Sequence, residues 1–144
     1  MQPKVFTELE MAHRPVVIVV EDDKEMNQLE CELLQIHGID TVSAYTGPEA
    51  VSAAGQRKPD AILLDIMLPE MDGFECCRRL RHQAGEDIPI VMVTALDTEG
   101  SRSEGFRAGA DAYFTKPFDP YEIVEALRML LTQAGWNTNG RTED

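Results

Sequence analysis

The side chains best suited to chemistry stand at four places: Glu21, Asp22 and Asp23 in a row, Asp65 and Thr94 each closing an apolar run, and Lys116 followed by Pro117. Brought to one crevice, they would set carboxylates beside a hydroxyl and an ammonium. Carboxylates packed together repel unless they share a proton or a cation, and a hard divalent ion with oxygen ligands removes the conflict. Magnesium (Mg2+) is the expected ion. Beside it, the Asp65 carboxylate could attack a phosphoryl group while Lys116 and Thr94 neutralise the transferred oxygens, leaving an aspartyl phosphate.

These residues meet only if a fold gathers strand ends. Short apolar runs alternate with amphipathic stretches, which predicts an α/β domain, a doubly wound parallel sheet with helices on both faces. The expected strands are Val16 to Glu21, Asp40 to Tyr45, Ala61 to Asp65, Ile88 to Thr94 and Asp111 to Thr115. The first, third and fourth are nearly all apolar, as strands buried on both sides should be. In such a sheet the working residues lie just beyond the carboxyl ends of the strands, where all the candidates fall.

Five helices fit between and after the strands. The first should bury Met26, Leu29, Leu33 and Ile36 and end at Gly38, a good left-handed cap. Thr46 with Glu49, and Asp72 with Glu75, have the spacing of capping boxes. The last helix should bury Ile123, Val124, Leu127, Leu130 and Leu131 and close near Ala134. The fourth, about Thr98 to Ala108, is weakened by Gly100, Ser101, Ser103 and Gly105 and has little beyond Phe106 to anchor it, so it should be the most mobile. The expected division is an extension at 1–14, a domain at 15–134 and a polar tail at 135–144.

At 144 residues and 43% hydrophobic composition, the chain supports one compact core. A net charge of -13 opposes direct binding to nucleic acid. The run Arg78, Arg79 and Arg81 reads as a solvated helix face. Cys31, Cys76 and Cys77 are odd in number and lack metal-ligand spacing, so reduced core thiols are expected. His13, His37 and His82 form no metal spacing either. No run approaches the roughly 20 apolar residues of a membrane helix, and Met1 to Arg14 lacks a secretory apolar centre, so a cytoplasmic location is expected.

The runs Val17-Ile-Val-Val-Glu-Asp-Asp23, Ile62 through Phe74, Val91-Met-Val-Thr-Ala95 and Gly109 through Phe118 resemble the receiver domains of bacterial response regulators, in matching order and spacing from about Val16 to Leu131. The resemblance implies a flavodoxin-like receiver fold with strand order 2-1-3-4-5. It implies a phosphorylation-dependent switch of a two-component phosphorelay rather than an enzyme, with Asp65 accepting phosphate from the phosphohistidine of a histidine kinase or phosphotransfer protein. Asp22, Asp65 and the Met67 carbonyl would bind magnesium, with Glu21 assisting through water. Thr94 and Lys116 would hold the phosphate, Tyr113 would be the switch aromatic that turns inward when Thr94 moves, and Lys116-Pro117 would be cis.

The simpler readings have their own weight. Asp23 reads best as a helix cap, and Asp65 alone could be a structural acid paired with Lys116. A haloacid-dehalogenase-type phosphatase also uses an aspartate nucleophile with magnesium, but it resembles Asp-x-Asp, whereas Ile66 and Met67 follow Asp65. A degenerate receiver used as a docking module is a further alternative. Met67, Met71 and Met92 read as packing material, and apolar Met67 and Leu96 predict a long-lived phosphorylated state. Arg102, Arg107, Asp111, Glu122 and Arg128 are candidates to pair across a homodimer. Too few residues follow Leu131 for an output domain, so the chain is expected to stand alone or to be part of a longer regulator.

Overall fold

The computed structural model describes residues 14–136. Along the chain run β1 (Val16–Val20), α1 (Lys24–Ile36), β2 (Asp40–Ala44), α2 (Gly47–Gln56), β3 (Ala61–Leu64), α3 (Gly73–Ala84), β4 (Ile90–Thr94), α4 (Glu99–Ala108), β5 (Ala112–Thr115) and α5 (Pro120–Gln133). All strand pairs are parallel, and the sheet order is β2-β1-β3-β4-β5, as expected. β4 starts at Ile90 rather than Ile88 because Pro89 has no N–H for the ladder; its carbonyl instead accepts from Ile62.

Strand alternation splits the core in two. Ile18, Val20, Ile62, Leu64, Ile90 and Met92 face α2, α3 and α4, whereas Val17, Val19, Leu63, Val91 and Val93 face α1 and α5. Each such side chain contributes about 1.5–3 kcal/mol of burial, so the strand ends rest on a rigid floor. Among the described residues, no helix is long and apolar enough to cross a membrane.

Helix α1 departs from expectation. Its buried face is Asn27, Glu30, Cys31 and Leu34, while Leu29 is 60% and Ile36 69% exposed. The buried set has perfect i, i+3, i+4, i+7 spacing but is half polar, so the neighbouring apolar stripe reads more strongly in sequence. Helix α4 forms, yet Phe106 is 46% exposed and its ring meets that of Tyr113 with centroids 6.5 Å apart; Gly105 and Ala108 are its buried residues.

Arg81 is not part of a solvated face. Its guanidinium donates to the carbonyls of Gly85, Glu86, Ile88 and Gly109 and pairs with Asp111 at 2.9 Å, tying α3 to both edges of the β4–β5 region. The caps are simpler than capping boxes: Glu49 accepts from Tyr45 rather than from Thr46, and Glu75 turns to Arg78 and Arg79. All three cysteines are free and buried. Arg14, assigned to the extension, pairs with Asp40, and Trp136, assigned to the tail, packs on the α5 core after a turn at Gly135. His13, the rest of the extension and the tail from Asn137 lie outside the described residues.

Candidate phosphoryl-acceptor site

Four neighbouring strands deliver the site. β1 ends into Glu21 and Asp22, β3 into Asp65, and β5 into Lys116, with Thr94 closing β4 between β3 and β5. Parallel pairing brings all these ends to one rim. Asp65 N–H donates to the Val20 carbonyl at 2.9 Å, and Lys116 N–H to the Thr94 carbonyl at 2.8 Å, so each residue continues its ladder by one step.

Lys116 Nζ lies 2.8 Å from Asp65 Oδ2 and 2.5 Å from Glu21 Oε1. The other oxygens are also engaged: Asp65 Oδ1 accepts from Met67 N–H at 2.9 Å, and Glu21 Oε2 from Asp23 N–H at 3.1 Å. Glu21, Asp65 and Thr94 are buried and Asp22 is exposed. The Lys116-Pro117 bond is cis. Asp23 takes the cap role, accepting from the N–H groups of Glu25 and Met26.

Burial alone would lower the Lys116 ammonium, but hydrogen bonds and charge from Asp65 and Glu21 outweigh it and raise the group above its ordinary value. Glu21 is also raised, first by burial and then by the Asp65 charge, against the lowering effect of Lys116. Lys116 keeps its charge, because it faces two carboxylates while each carboxylate shares one cation.

Carboxylate oxygens of Glu21, Asp22 and Asp65 lie within 4.8 Å of one another. Three acids against one ammonium leave surplus negative charge in a partly buried crevice, and a hard cation with oxygen ligands is the group that fits it. The aspartate pair, with Asp22 open to solvent, leaves room for the waters that such an ion keeps.

The loop after Asp65 is held from below. Gly73 N–H donates to the Ile66 carbonyl at 3.1 Å, and a Cβ on Gly73 would lie 2.5 Å from that oxygen and closer still to Ile66 Cα. Asp72 caps α3 through Phe74 N–H. Met67 stands outward, 52% exposed, so it is not packing material as its sequence suggests, whereas Met71 and Met92 are.

On the other side, Tyr113 is buried with its hydroxyl donating to the Leu96 carbonyl at 2.7 Å, and Arg102 lies over its ring. The ring is thus packed inward, beneath Arg102. Leu96 N–H approaches Thr94 Oγ1 at 3.4 Å, which links the end of β4 to the same loop. Asp111, considered for pairing between chains, is occupied by Arg81 and Ile90 N–H; Arg102 donates to the Tyr113 carbonyl, and Arg128 lies 3.6 Å from Glu125.

Two buried polar residues of α1 escaped the sequence reading. Asn27 reaches three main-chain carbonyls at the ends of β1 and β2. Glu30 is buried and has no hydrogen-bonding partner among the described residues; burial first, then the Glu21 and Asp65 charges, push its carboxyl up to about 8. The i, i+3, i+4, i+7 face was the available signal.

Residues 17–128 match the response regulator receiver domain family, and the chain belongs to it. It is 41% identical over 118 residues to the DNA-binding dual master transcriptional regulator RpaA of Synechocystis sp., covering 81% of this chain and 49% of RpaA. The chain therefore spans about half the length of that relative. The Francisella response regulator 1452 receiver domain superposes with a TM-score of 0.79 at 33% identity, over 84% of this chain and 99% of that one. A receiver domain from a Pseudomonas aeruginosa sensor histidine kinase, with magnesium coordinated in its active-site cleft, gives 0.75 at 30% identity over 83% and 98%.

Proposed function

We propose that Asp65 accepts a phosphoryl group from a phosphohistidine and that the chain is a phosphorylation-dependent signalling switch. The observation that carries this reading is the Lys116 ammonium, 2.8 Å from Asp65 Oδ2 inside a crevice with surplus acid. An Asp65 oxygen forms the new bond to phosphorus as the phosphorus–nitrogen bond breaks, and the imidazole nitrogen leaves with the electron pair. Lys116 then exchanges a carboxylate for a phosphoryl oxygen, and Thr94 supplies its hydroxyl to another. Asp22, Asp65 and the Met67 carbonyl would hold magnesium, with Glu21 acting through water; the ion supplies charge neutralisation for the transferred oxygens.

The phosphodonor partner fits the exposed stripe of Leu29 and Ile36 on α1, which starts beside the site and suits an amphipathic helix of a histidine kinase or phosphotransfer protein. Output passes to the α4–β5–α5 face, where exposed Phe106, Tyr121 and Met129 offer apolar area for a phosphorylation-favoured homodimer. Nucleic-acid contact falls to an output domain in a longer regulator, since a chain of net charge -13 repels a polyanion, and the switch works in the cytoplasm. Turnover of substrate is not its purpose; slow loss of phosphate only resets it.

The phosphatase alternative lacks an acid to protonate a leaving group, since the residue two after Asp65 is Met67. The experiment is intact-mass measurement after incubation with a small acyl phosphate and magnesium. One phosphoryl adduct is expected in the parent and none in Asp65→Asn or without metal. An undiminished adduct in Asp65→Asn refutes the assignment.

A further inference from the structure

We infer that Asn27 is a positioning residue for the acidic half of the site, holding Glu21 so that the cation ligands are assembled before any ion arrives. This rests on the reading of the crevice as a magnesium-dependent phosphoryl acceptor. Asn27 lies on the first turns of α1, fully buried, and its own N–H donates to the Asp23 carbonyl at 2.9 Å. Its amide nitrogen lies 3.2 Å from the Val19 carbonyl, 3.1 Å from that of Glu21 and 3.2 Å from that of Ala44.

Three carbonyl oxygens thus point at one spot. They are acceptors only, so nothing but a donor can sit among them, and this fixes which end of the amide faces them. The opposite end is fixed as well: Asn27 Oδ1 accepts from Ser43 Oγ at 2.7 Å and from the Cys31 thiol at 3.4 Å. β2 therefore holds the amide, and the amide holds the main chain of Glu21.

What hangs on that main chain is the site. Glu21 N–H is itself bonded to the Ala44 carbonyl at 3.1 Å, so both ends of its peptide frame are tied to the β1–β2 corner. From that frame its side chain takes Lys116 and Asp23 N–H, and the next residue is Asp22. With Asn27 removed, the three carbonyls would each lose a donor and the Glu21-Asp22 turn would loosen. The carboxylates would then have to be ordered at the moment of metal binding, and affinity would fall.

The test uses the intact chain and magnesium alone. Asn27→Leu keeps the bulk and removes both donors, so a residue that only fills space would leave metal binding intact. Calorimetry of the folded variant should show magnesium affinity reduced about ten- to a hundredfold, the usual cost of losing an outer partner of metal ligands. The thermal stabilisation by saturating magnesium should shrink in parallel. Ser43→Ala, which removes the shorter of the two hydrogen bonds to Asn27 Oδ1, should weaken binding less, and adding it to Asn27→Leu should change nothing more. Parental affinity in folded Asn27→Leu overturns the inference. If that variant does not fold, Ser43→Ala decides, and parental affinity there overturns it. A parent that binds no magnesium refutes the underlying reading instead, so the two failures are distinct.

Discussion

Two glycines mark the two sides of the site, and they are built differently. Gly73 presses α3 against the Ile66 main chain, directly beneath the loop that carries Asp65 and Met67. Gly105 presses α4 against side chains, with a Cβ there 2.9 Å from Met92 Sδ and 2.9 Å from the Tyr113 ring. Backbone cannot retreat, but a thioether and a ring can change rotamer. The chemical side is thus locked main chain to main chain, and the output side rests on parts that have somewhere to go.

The same contrast separates α1 from α4. α1 is tied to the strand ends by the buried amide of Asn27, while α4 buries only Gly105 and Ala108 and leaves Phe106 half exposed. Phosphorylation should therefore leave the α1 corner in place and reposition the α4 corner.

The largest expected effect is at Gly73. Gly73→Ala must displace the Ile66 main chain and should cost about 3 kcal/mol or more in a denaturant unfolding experiment. Gly105→Ala also meets a close contact, but the side chains yield and alanine is the better helix former by about 1 kcal/mol, so its net cost should stay near or below about 1 kcal/mol. Equal costs would erase the distinction between the two sides.

Glu30 sharpens the comparison through pH. Its folded carboxyl titrates at about 8, well above the ordinary 4.5. The folded state keeps a proton that the unfolded state releases, so this contribution is full below the unfolded value, falls as pH rises through the window between, and is gone above the folded value. Glu30→Gln cannot ionise. It should gain on the parent across that window, reaching on the order of a few kcal/mol by about pH 9. Unfolding midpoints at several pH values check it, and a gap independent of pH would contradict it.

The smallest effect concerns lifetime. Met67 is half exposed and Leu96 leans on the core, and neither can orient an attacking water. The phosphorylated parent should decay slowly after donor removal, and the double variant Met67→Asn, Leu96→Glu several times faster. Equal decay would show that these side chains do not govern water access.

The architecture was legible in sequence because apolar strands alternate with amphipathic helices, and the reactive set because it falls at strand ends. What misled was α1, where the apolar stripe of Leu29 and Ile36 faces outward and the buried face contains an amide and a carboxyl. Burial of polar groups depends on partners far along the chain, such as Ser43 and Ala44 for Asn27, and local periodicity holds no record of them. Arg81 misled for the same reason, since its carbonyl partners extend as far as Gly109.

The most direct measurement of the central claim is hydrogen exchange with and without beryllofluoride, a phosphoryl mimic, and magnesium. Protection should change first over 96–108 and 112–118 and stay constant over 24–36 and 40–44, with both responses lost in Asp65→Asn. A response confined to α2 and α3, or one that survives in Asp65→Asn, would contradict the account.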